Sequence, residues 1–184
     1  GLDQEGFVAK LVFGGGTYRY ESGFLANAEV FGREFTASVL PGWRFRKDSF
    51  ILTVFAGLDV QDHRLSPDDP SNKLRGTSAG FRGGFELWYE PNAGTMVSAD
   101  VFSTTIGPSY SGHAAFGWRV FDRFYLGPEI QAFAYDNSYR QFRAGAHITA
   151  FKTETAEWSA GAGWARDSDH REGVYGRVGV LMRR

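Results

Sequence analysis

Apolar and polar residues alternate with period two through most of this chain, and the 3.6-residue period of a helix is hard to find. In "AGFRGGFELWYE", residues 79–90, Ala79, Phe81, Gly83, Phe85, Leu87 and Tyr89 fall on one face, with Gly80, Arg82, Gly84, Glu86, Trp88 and Glu90 on the other. "QFRAGAHITAF", residues 141–151, sets Phe142, Ala144, Ala146, Ile148 and Ala150 against Arg143, Gly145, His147 and Thr149. "VYGRVGVLMRR" sets Val174, Val178, Val180 and Met182 against Arg177 and Gly179. The same reading predicts about ten strands, near 5–16, 34–46, 49–61, 76–90, 94–105, 108–120, 123–135, 139–152, 155–167 and 173–183. They are longer than the globular mode of about 5–6 residues. They match the ~9–11 residues of a strand tilted across a bilayer, with some overhang.

The connections alternate in length. "RKD" at 46–48, "EPNAG" at 90–94, "FDR" at 121–123 and "KTET" at 152–155 are short. The other set holds two long loops, 17–33 and 61–75, and shorter ones near 105–108, 136–138 and 168–172. Short turns at one end, longer loops at the other and an even strand number are the layout of an outer-membrane barrel. The predicted fold is all-β: one domain over residues 1–184, a closed antiparallel up-and-down β-barrel of about ten strands, of outer-membrane type.

The two faces support that choice. The more apolar one carries Phe7, Leu11, Phe13, Val39, Leu52, Val54, Leu58, Val101, Phe116, Leu126, Ile130, Ile148 and Val178. The opposite one carries Lys10, Arg44, Asp59, Arg82, Glu86, Asp100, His113, Arg119, Glu129, Gln131, Arg143, His147, Glu157 and Arg177. Lipid takes the first face and a polar lumen the second, whereas a soluble lipocalin-like barrel would turn its crowded aromatics inward. Trp43, Phe45, Tyr89, Trp118, Phe121, Phe124, Phe151 and Trp158 gather near the short turns, as an interfacial girdle does. The predicted lumen residues are Arg82, Glu86, Asp100, His113, Arg119, Glu129, Arg143, His147 and Arg177. A narrow barrel is filled by its own side chains, so these read as a paired plug.

Composition narrows the chemistry. The absence of cysteine excludes disulfides, thiolate catalysis and Cys-ligated zinc. A formal charge of −1 gives no general attraction to nucleic acid. The 24 glycines are nearly twice the usual share of about 7%. No apolar run approaches the ~18 residues of a membrane helix, and no targeting segment opens the chain, so an exported form would have lost its signal already. The chain ends in "LMRR", where barrels of this class commonly end in an aromatic residue.

"QDHRLSPDDPSNKLRG", residues 61–76, brings Asp62, His63, Asp68 and Asp69 together, and "RDSDHREG" adds Asp169 and His170 at the same end. The omptin proteases, also ten-stranded, resemble this in using acidic and Asp–His pairs at the rim to activate water. Against that, neighbours on a strand point to opposite faces, and Asp, Asn, His and Pro are ordinary turn formers. His113, His147 and Glu129 invite a metal or lipid-hydrolase reading, or are hydrogen-bonded filling. Ser109, Ser111 and Ser159 lack an elbow motif, and "FGGG" at 13–16 lacks the lysine and helix of a phosphate loop. Tyr18, Tyr20, Phe24 and Phe31 suit stacking on sugar rings or packing onto the rim. Tyr18, Tyr20, Phe24, Asp62, His63, Asp68 and Asp69 are therefore the expected rim contacts; no catalytic, metal-binding or cofactor-binding residue is assigned, and no cofactor is expected.

Three segments together, "GLDVQDHRLSPDDPSNKLRG", "IGPSYSGHAAFGWRVFDRFYLGPEIQAF" and "EWSAGAGWARDSDHREGVYGRVGVLMRR", resemble the BcsS family of cellulose-biosynthesis-associated proteins of alphaproteobacteria. The likeness covers roughly residues 5–184. It implies an envelope protein of the outer membrane linked to cellulose production or export. Together with the barrel pattern, the expected protein is non-enzymatic and accessory to cellulose biosynthesis, secretion or surface attachment, with the lipid bilayer and cellulose or cellulose-secretion components as partners. The alternatives are a rim protease or lipid-modifying barrel enzyme, and a small-solute channel.

Overall fold

The computed structural model describes residues 5–135, 139–154 and 156–182. The short loop expected at 136–138 and the terminal Arg183 and Arg184 lie outside these. Ten strands follow in chain order: β1 (Gly6–Ser22), β2 (Ala28–Lys47), β3 (Phe50–Ser66), β4 (Gly76–Asn92), β5 (Thr95–Thr104), β6 (Ser109–Val120), β7 (Phe124–Tyr135), β8 (Tyr139–Lys152), β9 (Ala156–Asp167) and β10 (Glu172–Met182), with one 3₁₀ turn at Gly23–Leu25. They form a single antiparallel up-and-down sheet in the order β1 to β10.

Three expectations are corrected. The sheet is a curled half-barrel, open rather than closed: among the described residues no ladder joins β1 to β10. Cross-strand side-chain pairs are the unit that holds strands together, and these two flanks are poor in them. β1 has glycine at 14, 15 and 16, and β10 has it at 173, 176 and 179.

Secondly, the loop expected at 17–33 is mostly strand. Thr17 to Ser22 pair with Arg33 to Ala28, and the turn is confined to residues 23–27, where Ala26 and Asn27 adopt positive φ of 55° and 63°. "TYRYES" is polar enough to read as loop but keeps the period-two alternation. β3 likewise runs on to Ser66, leaving residues 67–75 as the loop.

Thirdly, Ala150 does not share a face with Phe142 and Ile148. A register shift between Ile148 and Phe151, with Ala150 at φ 61°, is a bulge that turns Ala150 into the concave side and Phe151 out.

The alternation decides which way the sheet curls. Phe7, Leu11, Phe13, Val39, Leu58, Phe81, Ile130 and Val178 stand on the convex face, and Phe81 is still 68% exposed. The aromatics near the short turns, including Trp43, Phe45, Tyr89, Trp118, Phe151 and Trp158, are exposed on the same face. Phe35, Tyr110, Phe142 and Trp164 make a second exposed group toward the other end. The concave side is mostly polar, with two small apolar clusters. Leu40, Phe55 and Phe102 pack with Val8 and Val12, while Met96, Tyr125 and Ala150 pack with Trp88.

Candidate functional site

At the long-loop end the curl encloses a cavity of about 750 Å³. β1 supplies Tyr18 and Tyr20, β3 supplies His63, the loop after β3 supplies Asp69 and Asn72, and Tyr135 and Tyr139 close the far side. The hydroxyl of Tyr20 donates to Asp69 Oδ2 at 2.9 Å and accepts from Asn72 Nδ2 at 3.0 Å. Ser71 donates to Asp69 Oδ1 from its hydroxyl at 2.6 Å and from its backbone at 3.0 Å. These bonds, Ser71's foremost, pull the Asp69 carboxyl down to about 2 although burial pushes it up. Asp69 is only 1% exposed, so the loop is anchored inward by a charge that its donors satisfy.

A second chain of polar groups descends from the rim. Gln61 Nε2 donates to Asp59 Oδ2 at 2.9 Å, so Gln61 Oε1 faces His63 Nε2, 3.4 Å away. That makes Nε2 the donor and leaves His63 Nδ1 to accept from the Tyr18 hydroxyl at 3.1 Å, a tautomer assigned from the network. Asp59, fully buried, also accepts from Ser38 and Thr104, each at 2.7 Å. Tyr18 owes its position to the residue across the ladder. Its ring lies over Gly32, where any Cβ would land inside it.

The other expected rim residues separate from this cavity. Asp62 points to the opposite side of β3 from His63 and binds Arg64 Nε (2.9 Å) and the Thr77 hydroxyl (2.7 Å). Asp68 is exposed and paired with Arg75 at 2.7 Å. Phe24, 66% exposed on the 3₁₀ turn, faces away. The adjacent Asp–His motif of a water-activating rim is thus split across the sheet.

The expected lumen residues all line the concave side, and each has a partner. Glu129, 2% exposed, accepts from Arg177 and, at 2.9 Å, from Tyr175, while His113 Nε2 lies 3.2 Å from Oε2. His113 Nδ1 lies 3.1 Å from Asp100 Oδ1, so both ring nitrogens are taken by carboxylates. Gly161 makes this possible, because a Cβ there would collide with the Glu129 carboxylate. Lys10 pairs with Glu86 and sits 4.9 Å above the Phe102 ring. Arg119 donates to the Tyr125 hydroxyl, and Arg143 donates to Gln141 Oε1 at 2.7 Å while lying 4.5 Å over Phe133. Arg82 stands 5.6 Å over Phe102. His147, 1% exposed, has both ring nitrogens engaged, by Thr149 Oγ1 (2.8 Å) and the Phe116 carbonyl (3.1 Å). Among the described residues no group of three or more His, Asp or Glu converges to hold a metal.

The concave face is thus charge-paired, with the tyrosine-walled cavity at the long-loop end and a second cavity of about 650 Å³ at the short-turn end. The profile described as cellulose biosynthesis protein BcsS matches residues 1–184. The chain belongs to the BcsS family. Its role is linked to cellulose biosynthesis. No curated protein and no solved structure matches the chain.

For this BcsS-family chain the sequence picked out Tyr18, Tyr20, His63 and Asp69 but missed Asn72, Tyr135 and Tyr139, which complete the same cavity. Their signal was weak. Asn72 lies in a loop whose composition reads as turn, and the two tyrosines flank a short connection on the far side of the sheet.

Proposed function

We propose that this chain is an outer-membrane protein of the alphaproteobacterial cellulose apparatus that assists production or surface attachment of the polymer without catalysing a reaction. The observation that carries the reading is the inversion of the two faces. Large apolar side chains stand exposed over the whole convex side, while the concave side holds the charges in satisfied pairs. Water disfavours an apolar surface of that extent and lipid accepts it. The two groups of outward aromatics, near the short turns and toward the rim, suit the two interfaces of a bilayer. The lumen in this reading is a rigid, charge-paired support with a cavity of about 650 Å³ at its short-turn end, and the rim formed by the β1–β2 hairpin and residues 67–75 is the working surface. A non-catalytic role agrees with the arrangement of His113. With a carboxylate on each nitrogen, it has no free acceptor for a nucleophile's proton.

The test is a strain lacking the gene, complemented with an epitope-tagged copy. The tagged protein is expected in the outer-membrane fraction, resistant to carbonate washing, and surface cellulose is expected to fall on deletion and return on complementation. Recovery of the protein in a soluble fraction, or cellulose unchanged in amount and attachment, would overturn the reading.

A further inference from the structure

The tyrosines of the rim cavity are arranged as a surface. Tyr18 and Tyr20, two residues apart on the concave face of β1, have ring centroids 6.2 Å apart and planes within 22° of each other. Their hydroxyls are already engaged, Tyr18 with His63 and Tyr20 with Asp69 and Asn72, so what they offer a ligand is ring. Those bonds also fix the rings before anything binds, and Gly32 beneath Tyr18 holds that ring against the β2 backbone. A pocket ordered in advance loses less freedom on binding. Tyr135 and Tyr139 form the facing wall.

The charges say what class of ligand fits. Arg19, Lys73 and Arg171 line the cavity against Glu34, Asp69 and Asp169, a balance that favours neither an anionic nor a cationic ligand. What remains is a neutral molecule with flat apolar faces and polar edges. A β-linked glucopyranose has that shape: its substituents are equatorial, so each ring face shows only C–H bonds and the hydroxyls ring the edge. In a β-1,4 chain the rings run on as a straight, flat ribbon, which can lie across two aromatic rings set side by side along an extended strand, as Tyr18 and Tyr20 are with centroids 6.2 Å apart. An α-1,4 chain coils and cannot lie flat on both rings.

We infer that the rim cavity is a subsite for a segment of β-1,4-linked glucan, with Tyr18 and Tyr20 as its stacking platform and Asn72 and the facing tyrosines bounding the sugar edge. The choice of glucose among β-linked hexopyranoses rests on the role in cellulose production proposed above.

The full chain, purified in detergent, is titrated with cellohexaose and, as control, maltohexaose, by calorimetry. Cellohexaose is expected to bind at least about tenfold more tightly than maltohexaose, a factor equivalent to about 1.4 kcal/mol. Tyr18→Leu and Tyr20→Leu keep apolar bulk but remove the π-face, and each is expected to weaken cellohexaose about tenfold or more. Tyr18→Phe and Tyr20→Phe, which keep the ring but release the hydroxyl contacts that fix it, are expected to weaken cellohexaose clearly less than the leucine variants do. Absence of cellohexaose binding by the parent chain, equal binding of maltohexaose, or leucine variants that bind as well as the parent would each overturn the subsite. Complementation separates the two levels. A flat titration with normal restoration of cellulose removes the subsite and leaves the proposed role. Failure of the parent gene to restore cellulose removes the role, and the titration then judges glucan binding alone.

Discussion

The Tyr20 hydroxyl donates to Asp69 Oδ2 across 2.9 Å and so ties the loop after β3 to the first strand of the sheet. Residues that are 49 apart in sequence thereby share one wall of the rim cavity. The loop's position depends on a carboxylate whose other oxygen is held by Ser71.

That dependence has a pH signature. The folded Asp69 titrates at about 2, below its ordinary 3.8. A depressed acid contributes its full stabilisation above the ordinary value and loses it as the pH falls through the folded one. Pepsin should therefore spare residues 67–75 at pH 4 and nick them increasingly toward pH 2. In Asp69→Asn, which has no charge to lose, nicking should be similar at both values; a parent chain cut equally at both would contradict the anchoring.

Glu129 is the hub of the concave network. Glu129→Ala strands Arg177 and His113 beside each other, and breaking a buried charge pair from one side costs about 3–5 kcal/mol. Gly161→Ala should give a loss of the same kind by steric displacement of the same carboxylate. Denaturant midpoints in detergent check both.

A charge on the convex face should hinder insertion. Leu58→Arg and Ile130→Arg are expected to cost about 2–4 kcal/mol each near the middle of a bilayer and to lower the outer-membrane yield. Ser159→Lys points instead into the 650 Å³ cavity at the short-turn end and should leave the yield unchanged. A soluble protein would give no such contrast in membrane yield.

Trp43, Trp118 and Trp158 should report one depth. All three are exposed near the short turns, so lipids brominated near the headgroup should quench them more strongly than lipids brominated at the chain end.

His63, His113, His147 and His170 should be dispensable for any turnover. Alanine at each is expected to leave peptide and lipid A hydrolysis at the background of the parent chain. A measurable parent activity that one of these removes would move the protein into the enzymes.

Much of the fold was legible because the pleat writes itself into sequence. Leu58 and Asp59, or Ile130 and Gln131, sit on opposite faces wherever the strand is regular. What failed was irregular or long-range. Ala150 breaks the count because a bulge inserts a residue without any local glycine or proline to mark it. The β1–β2 extension was hidden because Tyr18 and Tyr20 are half-buried in a polar cavity rather than in an apolar core, so the hydrophobic signal was faint. The Tyr18–His63 and Tyr20–Asp69 contacts span the sheet, and nothing in a one-dimensional pattern specifies them. Closure was overread for a related reason: alternation and strand number say that a sheet curls, while whether its two ends meet depends on curvature and stagger.

The open seam leaves the outer sides of β1 and β10 with backbone N–H and C=O groups that no ladder uses among the described residues. In hydrocarbon each such group costs several kcal/mol, far more than it would in water. Placed in a bilayer, the two flanks are therefore adhesive along their whole length and indifferent to side-chain identity. They would take up any extended segment lying alongside, from this chain or another. In a bilayer, a sheet with two such margins would be held there by its neighbours rather than by its own closure.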